Sequence, residues 1–227
     1  MIVKHVTNTY EITDTYKNIN ILDIVDADIT IEPSSDDRTR LVFFEHKKHP
    51  YEFFIEGDTL TIKLAKARRY NFLRIGFRRS KIRLYVPKSN LETISAKSNV
   101  GRVDISSIIC NGVIDIQTNA GKINLENVAC QAFNSKGNSG AISVNNLTVK
   151  ESISIKRNAG KVLLNDCSAR EIFVKTNTGS VCGKLPSNMA FIARTNTAKM
   201  EIPQATIGEP IGGRCEIKTN TGNIKFE

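Results

Sequence analysis

Ile114-Asp-Ile-Gln-Thr-Asn119-Ala-Gly121-Lys-Ile-Asn-Leu125 alternates apolar and polar residues up to an Asn-x-Gly turn, and again beyond it. Alternation on both sides of a turn describes two short strands that meet at a corner, each with one buried face. The unit recurs at Asn99, Asn119, Asn138, Asn158, Asn177, Asn196 and Asn220, spaced 20, 19, 20, 19, 19 and 24 residues apart. Apolar residues keep fixed offsets from these asparagines. Five before come Ile94, Ile114, Phe133, Ile153, Ile172, Phe191 and Cys215; four after come Val103, Ile123, Ile142, Val162, Val181, Met200 and Ile224.

A single coil of this kind cannot bury its own inward face, whereas stacked coils about 4.8 Å apart share one continuous core. The expected fold is therefore all-β: a single-stranded parallel β-helix, or β-solenoid, of about seven coils of 19–24 residues over 93–227. Right-handed winding is expected from the crossover rule. The seven asparagines are read as structural turn residues that tolerate left-handed φ and stack as a hydrogen-bonded ladder. Ala198 stands where the other turns carry glycine, so that corner is expected to be the least regular.

Residues 1–92 are β-rich without the repeat. Asp28–Glu32 alternates, Leu41–Glu45 is an apolar strand, and Tyr51–Ile55 with Leu60–Leu64 flank a hairpin turn at Glu56-Gly-Asp-Thr59. Lys81–Val86 runs into the first marked coil without linker composition. The segment is expected to cap the solenoid and to be continuous with it.

The order Asp-Ala-Asp-Ile-Thr-Ile-Glu-Pro (26–33), Glu-Gly-Asp-Thr-Leu-Thr-Ile-Lys-Leu (56–64), a basic stretch, the run from Lys81 to Ile105, then repeated Thr-Asn-x-Gly units resembles the bacterial putative-adhesin family. This is a β-solenoid domain of unknown function, common in low-GC Gram-positive bacteria. The resemblance covers nearly the whole chain and carries no catalytic residues. It implies a binding or adhesin-like module, with some members in the cell envelope.

The 227 residues carry a formal net charge of +9, unevenly spread. Residues 1–58 hold 6 Lys/Arg and 12 Asp/Glu, residues 59–91 hold 10 Lys/Arg and no acid, and residues 93–227 hold 16 and 10. No apolar run reaches transmembrane length, and no secretory h-region is visible near Met1. The expected location is cytoplasmic or peripheral to a membrane, with the cell envelope admitted by the resemblance. Five cysteines without a Cys-x-x-Cys pair argue for buried free thiols rather than disulfides or zinc. Cys110 and Cys130 share one offset, as neighbours in stacked coils would.

No catalytic constellation emerges. His5, His46 and His49 precede the repeats and lack a matching set of metal ligands, so neither a metal nor another cofactor is expected. A carbohydrate-active enzyme would need paired carboxylates on one ledge. No offset tested puts carboxylates on adjacent coils, though Asp104 and Asp115 could face each other across a groove.

The cations are the unusual feature. Two residues before the asparagines come Lys97, Gln117, Lys136, Lys156, Lys175, Arg194 and Lys218, and three after come Arg102, Lys122, Lys161 and Lys199. Outward lysines discourage edge pairing, and a regular row of them also suits a regular anionic partner. Residues 66–81 interleave Arg68, Arg69, Arg74, Arg78 and Arg79 with Tyr70, Phe72 and Phe77. That mixture suits an anionic membrane surface or cell-envelope polymer. It also suits single-stranded nucleic acid, which no recognised motif supports. The leading expectation is a non-enzymatic module that engages an anionic surface or polymer through the row and the loop. A protein-interaction scaffold in envelope-stress or regulatory assemblies, self-associating through its C-terminal edge, is the alternative.

Overall fold

The computed structural model describes residues 5–65, 79–88, 91–203 and 212–227, with the side chain of Asp23 outside that description. The regular structure of these residues is entirely β, in strands from His5–Ile12 to Ile224–Phe226. No helix among them is long and apolar enough to cross a membrane.

The alternating residues build two ladders of parallel strands. One runs through Thr59–Leu64, the first part of Asn18–Pro33, Leu91–Val100, Cys110–Ala120, and the second parts of Ile123–Ser139 and Ile142–Arg157. It continues through Glu171–Lys175, Gly213–Thr219 and Met189–Thr195. The other runs through Ser80–Val86, the second part of Asn18–Pro33, Val103–Ser106, and the first parts of Ile123–Ser139 and Ile142–Arg157. It ends with Val162–Ser168, Val181–Lys184, Ile224–Phe226 and Met200–Glu201. Between the ladders lies a shorter wall, where Val128 pairs Leu147 and Leu147 pairs Cys167.

The inward rows are those the offsets define, except at the end of the stack, where Phe191 is half-buried and Met200 is exposed. Ile94, Ile114, Phe133, Ile153, Ile172 and Cys215 are buried in one ladder, and Val103, Ile123, Ile142, Val162, Val181 and Ile224 in the other. Cys110, Cys130, Cys167 and Cys215 are buried free thiols and Cys182 is half-buried.

Two features of the stacking differ from a simple progression along the chain. Asn18–Pro33 is itself a turn of the stack: Ile19 and Ile21 lie beside Ile94 and Ala96, and Ile29 and Ile31 beside Val103 and Ile105. Its outer neighbour comes later in sequence, at Thr59–Leu64 and Ser80–Val86. The opposite end mirrors this. Gly213–Thr219 is inserted between Glu171–Lys175 and Met189–Thr195, so the chain-terminal coil is internal. Among the described residues the edge expected at the C-terminus therefore belongs to Met189–Thr195 and Met200–Glu201. Turn spacing fixes which residues face inward, but every coil offers the same inward pattern, so spacing does not fix which coil lies beside which.

Antiparallel strands close the other end. His5–Ile12 pairs Thr39–His46, which pairs Ser80–Val86, and Tyr51–Glu56 folds back on Thr59–Leu64 through Gly57 at φ 57°. Phe43, Tyr51 and Phe53 pack there, and buried Glu45 accepts hydrogen bonds from Asn8 Nδ2 (2.7 Å) and Tyr51 N (2.6 Å). His5, His46 and His49 also meet at this end, with His5 stacked on Phe44. Among the described residues no group of three or more His, Cys, Asp or Glu is placed to hold a metal ion.

Candidate anion-binding groove

Hydroxyls close several Asn-x-Gly corners from within, and asparagine side chains tie most of them from outside. Inside, Thr176 Oγ1 donates to Gly179 O (3.1 Å) and Thr118 Oγ1 contacts Gly121 O (3.5 Å). These hydroxyls occupy a buried row that also holds Ser98 and Thr219. Outside, Asn119 Nδ2 donates to Asn99 Oδ1 (3.0 Å), Asn138 to Asn119 (2.7 Å), Asn177 to Asn158 (3.2 Å), and Asn220 to Asn177. The expected ladder is present, in two runs. At the Ala198 corner the contact from Asn196 to Asn220 has lengthened to 3.5 Å.

Gly140 shows why the turn needs glycine. Its φ is 110°, and a Cβ there would run into the carbonyl of Gly121 in the adjacent coil. A second corner, which no sequence motif announced, lies eight residues after each of the first four asparagines. Ser107, Asn127, Asn146 and Asp166 all adopt φ of 51–55° there. Their small polar side chains tolerate that geometry.

The row two residues before each asparagine is in strict register. Lys97 pairs Gln117, Gln117 pairs Lys136, Lys136 pairs Lys156, Lys156 pairs Lys175, Lys175 pairs Lys218 and Lys218 pairs Arg194. Five cations from Lys136 to Arg194 are thus consecutive in space, about 4.8 Å apart along the stack. Lys136 and Lys175 have no ion-pair partner among the described residues. Lys218 pairs with Glu216, and the Lys156 and Lys218 ammonium groups flank the outward ring of Phe173 at 5.7 and 5.9 Å.

This row and the asparagine ladder are the walls of one groove of about 640 Å³, lined by Lys136, Lys156, Lys175, Arg194 and Lys218 opposite Asn138, Asn158, Asn177 and Asn220. A second hollow of about 430 Å³ extends it past Lys97, Asn99 and Asn119. Arg102, Lys122, Lys161 and Lys199 lie on the far flank of the corner, outside this groove. Asp115 and Glu216 lie in the neighbouring outward row, where Gln117 Nε2 donates to Asp115 and both Arg214 and Lys218 pair with Glu216. Within the groove the cations therefore form a single line.

Arg68, Arg69, Tyr70, Phe72, Arg74, Phe77 and Arg78 lie outside the described residues. Arg79 makes ion pairs with Asp26 (2.9 Å) and Asp28 (3.3 Å), so its charge is engaged within the protein.

Asp104 and Asp115 fall on different ladders. Asp104 accepts from Asn124 Nδ2 (2.6 Å), and burial raises its pKa against the opposing effect of that bond. Burial pushes the thiols of Cys130, Cys167 and Cys215 up to about 12, which leaves them protonated and unreactive.

The residue missed by the offset reading is Arg157. It occupies the buried hydroxyl row and is 4% exposed. Its place directly before Asn158, at a position that is serine or threonine in most coils, was the available signal.

The described residues form a parallel β-stack whose groove gathers cations and amides along one line. The Toastrack DUF4097 family model matches residues 16–227, and the chain belongs to that family, which implies a β-solenoid. Solved structures of similar architecture include a putative adhesin from Parabacteroides distasonis, with 13% identity, TM-score 0.54, and 99% and 98% of the two chains covered. Another is a putative adhesin from Bacteroides fragilis, with 19% identity, TM-score 0.52, and 99% and 97% covered. A putative lipid binding protein from Parabacteroides distasonis matches at 14% identity and TM-score 0.41, with 97% of each chain covered. A comparison with curated proteins finds no match.

Proposed function

We propose that this protein is a non-enzymatic binding module that holds a linear anionic polymer along the groove between the cation row and the asparagine ladder. The parallel ladders are the flanks of one continuous right-handed solenoid, with two unmarked turns added to the seven that carry the asparagine repeat. The observation that carries the reading is the register of Lys136, Lys156, Lys175, Lys218 and Arg194, five consecutive cations along one straight line. Such neighbours repel one another, and salt screens that repulsion only beyond about 8–10 Å. A polymer with regularly spaced anions relieves the repulsion at every step.

The line is one residue wide, and the row beside it, Asn134, Ser154, Phe173, Glu216 and Ile192, adds no cation, which favours a chain lying along it over a flat membrane surface. The adhesin names of two structurally similar proteins agree with a binding role. Titration with a linear polyanion across a salt series tests the proposal. Binding that weakens steeply with salt and with loss of Lys136, Lys156 and Lys175 is expected. Salt-independent absence of binding contradicts it.

A second reading rests on the edge at Met189–Thr195, where Ile192 is 39% and nearby Met200 48% exposed. Pairing of this edge with another chain makes the module a self-associating scaffold. Light scattering that reports a strict monomer at high concentration removes it.

A further inference from the structure

Two regularities of the groove fail at the same place. The asparagine ladder is interrupted between Asn138 and Asn158, although both flanking runs are hydrogen-bonded. The buried hydroxyl row loses its side chain at Gly137 and then carries a guanidinium at Arg157. The cation row is uncompensated here: Lys136 sits beside Lys156, and neither has a carboxylate paired to it among the described residues.

Arg157 is 4% exposed. Its Nη1 donates to Thr118 Oγ1 (2.8 Å) and approaches Thr118 O (3.4 Å), and its Nη2 donates to Ser135 Oγ (3.0 Å). All these partners are neutral, and the buried Nε has none. A buried cation without a counter-charge is strongly unfavourable, and burial accordingly lowers the Arg157 pKa to about 10. Thr118, Thr176 and Thr219 fill the same row with hydroxyls, so a buried guanidinium is the exception there. Arg157, Gly137, Lys136, Lys156, Asn138 and Asn158 all line the groove.

We infer that the groove has a single anchor point, between Lys136 and Lys156 and above Arg157, which takes a phosphate group of a phosphate-bearing polymer. This rests on the polymer-binding reading above and narrows it. The missing counter-charge of Arg157 is supplied by the ligand. Two exposed ammonium groups act as point charges on the phosphate oxygens. The guanidinium acts from beneath as a fixed positive charge in a region of low dielectric, where its field is weakly screened. The Asn158 amide nitrogen, which does not continue the ladder to Asn138, is available as a neutral donor at the same point. A phosphodiester carries one charge on two oxygens as a carboxylate does, but its tetrahedral phosphorus directs those oxygens apart, so that they can meet cations from both sides and from beneath, whereas a carboxylate holds its oxygens in one plane. The chemistry is shared by an envelope phosphodiester polymer and by inorganic polyphosphate.

Calorimetric titration with inorganic polyphosphate, a glycerol-phosphate polymer and polygalacturonate tests this. Binding of either phosphate polymer at least tenfold tighter than polygalacturonate is expected, and the stronger of the two identifies the source. Lys136→Gln and Lys156→Gln each lose about tenfold in affinity, whereas Lys97→Gln, outside the anchor, loses less than twofold. Arg157→Thr, which installs the residue native to its row, also loses about tenfold, and Arg157→Lys retains affinity within threefold. Amide NMR spectra establish that each variant is folded. Equal losses at Lys97, Lys136 and Lys156, or equal affinity for polygalacturonate, overturn the anchor while leaving the polymer reading intact. Absence of binding to all three polymers overturns both.

Discussion

Arg157 Nη1 reaches Thr118 Oγ1 at 2.8 Å across 39 residues of sequence, passing over Gly137 in the coil between them. Three successive corners are thereby tied by one side chain, and Gly137 leaves the space it occupies. A Cβ at position 137 would run into both the Thr118 carbonyl and the Arg157 guanidinium. Gly137→Ala is therefore expected to destabilise the fold by about 1–3 kcal/mol, the usual cost of overpacking. Urea denaturation measures it, and an unchanged midpoint contradicts the packing described.

The internal position of the chain-terminal coil has a large consequence. Gly213–Thr219 pairs Glu171–Lys175 on one side and Met189–Thr195 on the other, and buries Cys215 and Ile217. Truncation after residue 212 removes a middle layer and leaves Met189–Thr195 without its partner. Loss of protection across residues 171–201 in hydrogen exchange is expected. A truncated protein that keeps native protection there contradicts the stacking order.

The thiols give the fold an alkaline limit. Cys130, Cys167 and Cys215 bind their protons more tightly when folded, because burial raises them from 9.0 to about 12. Their stabilising effect is complete below about pH 9 and is lost as pH rises toward 12. Each contributes a slope of at most about 1.4 kcal/mol per pH unit in that window. Stability measured from pH 8 to 11 falls in the wild type and falls less in Cys215→Ala. At pH 8, a thiol reagent labels Cys182 before the four buried cysteines, which react only on unfolding.

Asn177 stands inside the ladder, donating to Asn158 and accepting from Asn220. Asn99 stands at one end and accepts from Asn119. Asn177→Ala is expected to cost about 0.5–1.5 kcal/mol, and Asn99→Ala less. Thermal denaturation of the two variants ranks them, and equal effects argue against a cooperative ladder.

The inward rows, the asparagine ladder and the register of the cations were legible because each follows from an offset to a visible turn. The turn at Asn18–Pro33 was not, because Ala27 stands where Gly101 and its successors mark the corner. The exchange of order at Gly213–Thr219 was hidden because its inward residues, Cys215 and Ile217, suit either slot. Arg157 was obscured by its charge. An arginine beside exposed Lys156 reads as a second surface cation, and only the missing side chain of Gly137 and the hydroxyls of Thr118 and Ser135 give it an interior place. Ser107, Asn127, Asn146 and Asp166 share an offset but not a residue type, so their common left-handed φ left no motif.

The central claim is that consecutive cations in register make one binding line. The most direct measurement is the salt dependence of polyphosphate affinity for the wild type and for Lys136→Gln/Lys156→Gln/Lys175→Gln. Each phosphate contact removed lowers the slope of log affinity against log salt by about 0.7–0.9, by analogy with nucleic-acid polyanions. The account predicts steep salt dependence in the wild type and a slope shallower by about 2–3 in the triple variant. Equal slopes and equal affinities for the two proteins would contradict it.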